Sequence, residues 1–184
     1  MKIFDIRFMR KILLLFTALI AISSCSFDTP ENYFDRTTLN TNKLRDFGSA
    51  RLKRMIAEKD GDMLFTIKNE ELEKTSSVEE HILNFLLPDI EKDIKKVKDL
   101  KPIEDTEAMI EASLEVYDFA KKKYETDYIE IAKLIDRQAP KAEIAALMEQ
   151  FDDENVPKLE SLHEKLMIIA MAYAEDNGIE VKRY

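Results

Sequence analysis

Between Thr106 and Pro140 the chain runs without a single glycine or proline, and its apolar and aromatic positions fall on one seam. Ile110, Leu114, Tyr117, Lys121, Tyr124, Tyr128, Ile131 and Ile135 are separated by alternating steps of four and three, the heptad spacing of a helix that packs along one stripe. Lys121 is the one polar member. Thr106 stands at the expected N-cap with Glu107 in the first turn. A helix of this length is a rod of about 48 Å at 1.5 Å per residue, and a stripe that long is buried only by partners of similar length. The chain is thereby committed to long helices laid side by side.

Partners of that kind are present. Past Pro140, Ile144, Leu147, Met148 and Phe151 lead beyond Pro157 to Leu159, Leu162, Leu166, Ile169 and Tyr173, and Asn177-Gly178 is a helix stop. Upstream, Ser77-Val-Glu-Glu80 reads as a capping box that opens a helix reaching residue 100. Val78, Ile82, Leu86, Ile90, Ile94 and Val97 share one face of it, and Pro88 predicts a kink or break over 85–88. Leu44, Phe47, Leu52, Met55 and Ile56 suggest a first helix over 42–59, stopped by Asp60-Gly61-Asp62. Residues 62–75 fit either a short extended piece or more helix. Short loops at 101–105 and 138–140 make neighbouring helices antiparallel. The fold class is all-α, an antiparallel bundle of three to four long helices, and no repeat of solenoid length is visible.

Composition removes several functions. Three glycines leave no phosphate-binding loop, and one cysteine makes neither a disulfide framework nor a multi-cysteine zinc site. With 37 Asp and Glu against 28 Lys and Arg the formal net charge is -9, the wrong sign for a nucleic-acid binder, so no nucleic acid is expected as a partner.

The first 24 residues differ from the rest. Lys2, Arg7, Arg10 and Lys11 precede the apolar run ILLLFTALIAI, then Ser23, Ser24 and Cys25, the order of a secretory signal peptide. The apolar run is too short for a hydrocarbon core of about 30 Å. Ile22-Ser23-Ser24-Cys25 resembles the lipobox of bacterial lipoproteins. That resemblance implies cleavage between Ser24 and Cys25, a diacylglycerol thioether on Cys25 and an N-acyl lipid on its new amino group. These are the covalent groups expected, with no other cofactor. Two or more chains at about 0.8 kcal/mol per buried methylene anchor stably where one does not. Met9 offers a second start, MRKILLLFTALIAISSC, with the same mature product, and Asp5 is an unusual charge for a leader.

Removal of the leader takes four bases and one acid, so the mature chain carries a net charge of -12, is repelled by anionic headgroups and is expected to stand off an anionic membrane and not lie on it. The expected organisation is a cleaved leader over 1–24, a lipidated N-terminus and tether over 25–41, where Pro30 and Asn32 suit a flexible spacer, and one helical domain over 42–184. In the lipoprotein family an Asp after the cysteine retains the protein in the inner membrane of many diderm bacteria. Ser26 at that place implies the outer membrane, and Asp28 and Glu31 are a weak form of an acidic surface-export signal, leaving the periplasmic and surface faces open. The stretches EASLEVYDFAKKKYETDYIEIAKLI (111–135) and EKLMIIAMAYAEDNGIEV (164–181) resemble a loose group of small helical-bundle surface lipoproteins of unknown function. The resemblance covers about half of the mature chain and brings no catalytic residues. Residues 60–76, Pro88 and Pro157 depart from an uninterrupted bundle.

Candidate chemistry is sparse. Glu160-Ser-Leu-His163 is an E-x-x-H, half of a di-iron set, but no second copy or inward glutamates accompany it, and His81 has Val78 three residues before it. Glu160 and His163 are therefore weak metal candidates, and no metal is expected. No G-x-S-x-G is present, and no catalytic residue is assigned. Tyr117, Tyr124 and Tyr128 either line a groove for an apolar or carbohydrate ligand or fill the seam with their hydroxyls at the rim. Lys121 is expected to reach water or an acid, and Met167 and Met171 to pack in the core. The expectation is a non-enzymatic, lipid-anchored binding or structural module of the cell envelope, its partners the membrane and an envelope protein. The alternative is a periplasmic ligand-carrying or metal-binding bundle.

Overall fold

The computed structural model describes residues 28–181; the expected leader, Ser24, Cys25 and both candidate starts lie outside them. The described chain is mostly helical with one small antiparallel sheet.

The segment expected as a tether over 25–41 is folded from Pro30 onward. Helix α1, Pro30–Thr38, opens where Thr29 Oγ1 accepts the Asn32 N–H at 3.3 Å and Pro30 takes the first helical position. Thr-Pro-Glu-Asn is loop chemistry, but it is equally the chemistry of a helix start, and Tyr33 and Phe34 decide the matter by becoming core. A tight 3-10 turn, Leu39–Leu44, follows. The helix expected over 42–59 is broken as well: α2 spans only Ser49–Asp60. Gly48, at φ 105° and ψ -158°, lies in a region open to glycine alone. The break lets Phe47 turn inward.

Beyond α2 the ambiguous stretch resolves as a hairpin of β1, Phe65–Lys68, and β2, Glu71–Lys74, with Phe65 opposite Lys74 and Lys68 opposite Glu71. Asn69 and Glu70 both have positive φ, 50° and 67°, as a type I′ turn requires. The Thr75 N–H donates to Leu64 O at 2.9 Å, fixing which pairs bond across the ladder; the backbone groups of Leu72 and Lys74 therefore face the outer edge. The opposite edge is covered, since Phe65 O accepts from His81 Nδ1 at 2.6 Å.

Ser77 caps α3, Val78–His81, by accepting the Glu80 N–H at 3.1 Å. The reciprocal half of the capping box is absent. Glu80 instead accepts from Thr75 Oγ1 and pairs with Lys68, while the Ser77 N–H goes to Thr75 Oγ1. The break expected at Pro88 takes the form of a π-helical turn, Ile82–Leu86, in which the Leu87 N–H reaches back five residues to Ile82 O. This turn absorbs the proline at the head of α4, Leu87–Lys98, without severing the helix.

The long seam also contains a π turn. Helix α5 is Glu107–Lys123, the turn is Tyr124–Tyr128, and α6 is Ile129–Asp136. Thr106 occupies the cap position but spends its hydroxyl on Ile103, accepting from its N–H and donating to its carbonyl. Helix α7, Lys141–Asp176, runs through Pro157 and ends at Gly178, whose φ of 67° lets the Ile179 N–H reach Ala174 O at 2.8 Å. Gln138 makes the same turn after α6 at φ 57°.

Long-range hydrogen bonds set the direction of each column. Tyr33 Oη donates to Lys101 O, Ser113 Oγ to Thr37 O, the Gly48 N–H to Tyr128 Oη, and Lys59 Nζ to Asp136. Residues 30–60 thus descend alongside α5 and α6, while His163 meets Thr41 and Asp152 meets Ser49, so α7 runs the opposite way. One end of the molecule gathers the start of α1, the 99–106 loop and the end of α7. The hairpin and the α6–α7 turn occupy the other, and α7 alone spans about 54 Å.

Candidate functional site

Two joints position the side chains that matter. At the first, Tyr128 Oη accepts the Gly48 N–H at 2.6 Å and donates to the Gly48 carbonyl at 3.0 Å, and Asp152 Oδ1 accepts the Ser49 N–H at 2.7 Å at the head of α2. At the second, the Asp136 carboxylate receives Ser77 Oγ, the Val78 and Glu79 N–H groups and Lys59 Nζ, all within 2.7–3.0 Å. Burial works against the Asp136 anion, yet these donors hold its pKa below the usual aspartate value. An acid at one helix end therefore fastens the start of another, and α2 is clamped at both ends.

Between α2 and the first π turn lies an open cleft of about 480 Å³. Lys43, Arg45, Arg51 and Arg54 line one side of it, and His81, Phe85 and Asp89 the other. Most of this charge is paired. Asp46 receives Arg51 at 3.3 Å and Arg54 at 2.6 Å; Lys43 bridges Asp89 and the buried Asp93, each at 2.7 Å. Arg45 makes no ion pair among the described residues, and Phe85 is exposed. The His81 ring stacks on Phe85 at 5.1 Å. Burial lowers the His81 pKa, opposed by the hydrogen bond to Phe65, so the ring is neutral with its proton on Nδ1 and a lone pair on Nε2. Chemically, the cleft offers guanidinium groups, an aromatic face and one acceptor nitrogen. Among the described residues no hydroxyl or thiol side chain lines it.

The tyrosines marked by the sequence lie elsewhere. Tyr117, Tyr124 and Tyr128 are fully buried and line none of the described clefts. Phe47, released by the Gly48 break, packs against Phe119, Tyr124, Tyr128 and Phe151 with ring centres 5.3–6.2 Å apart. The hydroxyls expected at the rim are inside: that of Tyr128 holds Gly48, and those of Tyr117 and Tyr124 have no hydrogen-bond partner among the described residues. Burial, with Asp93 and Asp89 nearby, pushes the Tyr117 phenol far up. Lys121 reaches out to Glu91 at 2.9 Å and Glu125 at 3.4 Å, and Met167 and Met171 are half-buried.

Glu160 and His163 line a separate cleft of about 310 Å³ beside Arg45. His163 Nε2 lies 3.2 Å from Thr41 Oγ1, which already donates to Thr38 O, so the imidazole supplies the proton and burial keeps it neutral. Among the described residues no group of three or more His, Cys, Asp and Glu side chains is arranged to hold a metal. No helix there is long and apolar enough to cross a membrane. No protein-family description matches the chain, and neither a curated protein nor a solved structure matches it.

Sequence reasoning missed Gly48, Asp136, Asp152 and the arginine cleft. Gly48 alone carried a signal, as a glycine inside an otherwise helical pattern.

Proposed function

We propose that the protein is a lipid-anchored module of the bacterial envelope that works by binding a partner, with no catalytic step, through the cleft between α2 and the first π turn. One observation carries the reading: the lipobox cysteine at position 25 stands five residues before the first helical residue, Pro30, so leader, anchor and domain follow one another with almost nothing between them. The domain is an antiparallel bundle of four helical columns capped by the hairpin. Its aromatic interior is filled by rings in mutual contact, which favours recognition at the surface over carriage of a ligand inside. Arg45 and Phe85 are the exposed cation and ring that a partner would meet.

The anchor is tested with Cys25→Ser. The wild type incorporates labelled palmitate and sediments with membranes; the variant loses the label and becomes soluble. A variant that stays in the membrane fraction, beside a wild type that never takes up palmitate, removes the reading. Protease shaving of intact cells then separates the surface from the periplasmic face. The cleft is tested by placing a photo-crosslinker at position 85 and, as control, at the exposed position 149. A discrete adduct at 85 that Arg45→Glu abolishes supports the cleft; equal labelling at both positions removes it.

A further inference from the structure

We infer that the 99–106 loop, together with the start of α1 and the end of α7, rests on the lipid surface, with Ile103 entering the headgroup layer of a neutral leaflet. This rests on the lipoprotein reading of Cys25.

Length is the first support. A chain from Cys25 to Pro30 reaches at most about 18 Å when fully extended, a third of the length of α7. The anchored domain therefore stays within that distance of the lipid surface. Neighbourhood is the second. Tyr33, one turn into α1, donates its hydroxyl to Lys101 O at 2.6 Å, so the 99–106 loop lies directly beside the anchored start of the fold. Tyr173, near the end of α7, is buried where Tyr33, Asp105 and Glu31 all act on it, which places that end in the same layer.

The third support is what the loop exposes. Ile103 is 46% exposed, next to Pro102, in a loop whose Leu100 and Thr106 are buried and whose other members, Asp99, Lys101, Glu104 and Asp105, are charged. It is held in place, since Thr106 Oγ1 bonds both its N–H at 3.1 Å and its carbonyl at 3.2 Å. A pinned apolar residue at the anchored end is suited to shallow insertion among headgroups. Charge then selects the lipid. The segments that meet at this end carry Glu31, Asp99, Glu104, Asp105, Glu175 and Asp176 against Lys98 and Lys101, so an anionic leaflet repels this end and a zwitterionic one does not.

The test uses the mature lipidated protein in phosphatidylcholine vesicles carrying a headgroup nitroxide quencher. With Cys25 acylated, a single new thiol takes the fluorophore, either at Glu104→Cys or at Leu72→Cys on the hairpin. Quenching at 104 is expected to exceed that at 72 severalfold. It falls when Ile103→Asp is added, when ten Gly-Ser residues are inserted after Ser26, or when half of the lipid is phosphatidylglycerol, the last recovering with salt. Equal quenching at both positions in a protein whose Cys25 is shown by mass to be acylated overturns this inference alone. An unmodified Cys25 overturns it together with the reading beneath it. Stronger quenching on phosphatidylglycerol overturns the choice of lipid.

Discussion

The break at Gly48 and the turn at Asn69-Glu70 both interrupt regular structure with backbone at positive φ, yet they are built in opposite ways. Gly48 is a residue that fits its conformation, surrounded on all sides: a Cβ there would sit 2.5 Å from Asp152 Oδ1 and 2.8 Å from Val156 Cγ2. At the hairpin, Glu70 takes a positive φ that suits glycine, and every residue of β2 is exposed. The first, a break without a change of direction, is enforced from outside by tertiary contacts. The second is made by two short strands alone, with only one edge covered. Strain tolerated in the open and strain excluded in the core mark where the fold carries its stability.

The widest separation between the two comes from Gly48→Ala. Clash and a glycine-only conformation together should cost about 3 kcal/mol or more, measured as a lowered midpoint in urea unfolding; a loss near that of an ordinary surface change would show that the joint gives way easily. Next is Tyr128→Phe, which leaves the Gly48 N–H buried without a partner and its carbonyl with only the long Leu52 N–H at 3.4 Å, and should cost about 2 kcal/mol in the same assay. Acid is a milder probe. His81 and His163 have folded pKa values pushed below the ordinary 6.5 by burial, so their contribution is complete above that value and is lost as pH falls through their folded values. Asp136, held low, contributes above about 3.8 and fails at still lower pH. Stability followed against pH should therefore decline in two stages, the first absent in a His81→Gln, His163→Gln double variant. The smallest effect has the opposite sign: Glu70→Gly should stabilise by about 0.5–1 kcal/mol. Hydrogen exchange sharpens the same contrast, with the Gly48 amide among the slowest and those of Leu72 and Lys74 among the fastest.

What could be read from the residues follows from range. The α5–α6 seam is local, and Ile110, Tyr117, Tyr124, Tyr128, Ile131 and Ile135 all end buried as their spacing requires. The Ser77 cap and the Gly178 stop are likewise written within four residues. The joints are not: Tyr128 meets Gly48 across 80 positions and Asp136 meets Val78 across 58, and no periodicity encodes a pairing at that distance. Within the expected tether, Pro30–Thr38 is helix, because polar turn formers and helix starters are the same residues. Of the candidate site, the tyrosines carry the strongest pattern, and their rings are packed in the interior. The cleft, made of charges drawn from the residues before α2, from α2 itself and from α4, has no pattern to show.

The π turn at Tyr124–Tyr128 can be understood as a matter of phase. An α-helix advances about 100° per residue, so one extra residue in a turn rotates everything beyond it by that angle. Asp136 points at the head of α3 because eight residues earlier the helix has been dialled forward. Deleting the exposed Thr126 would restore uniform winding and swing that carboxylate away from Ser77, Val78 and Lys59, unfastening a distant helix without touching a single contact of its own.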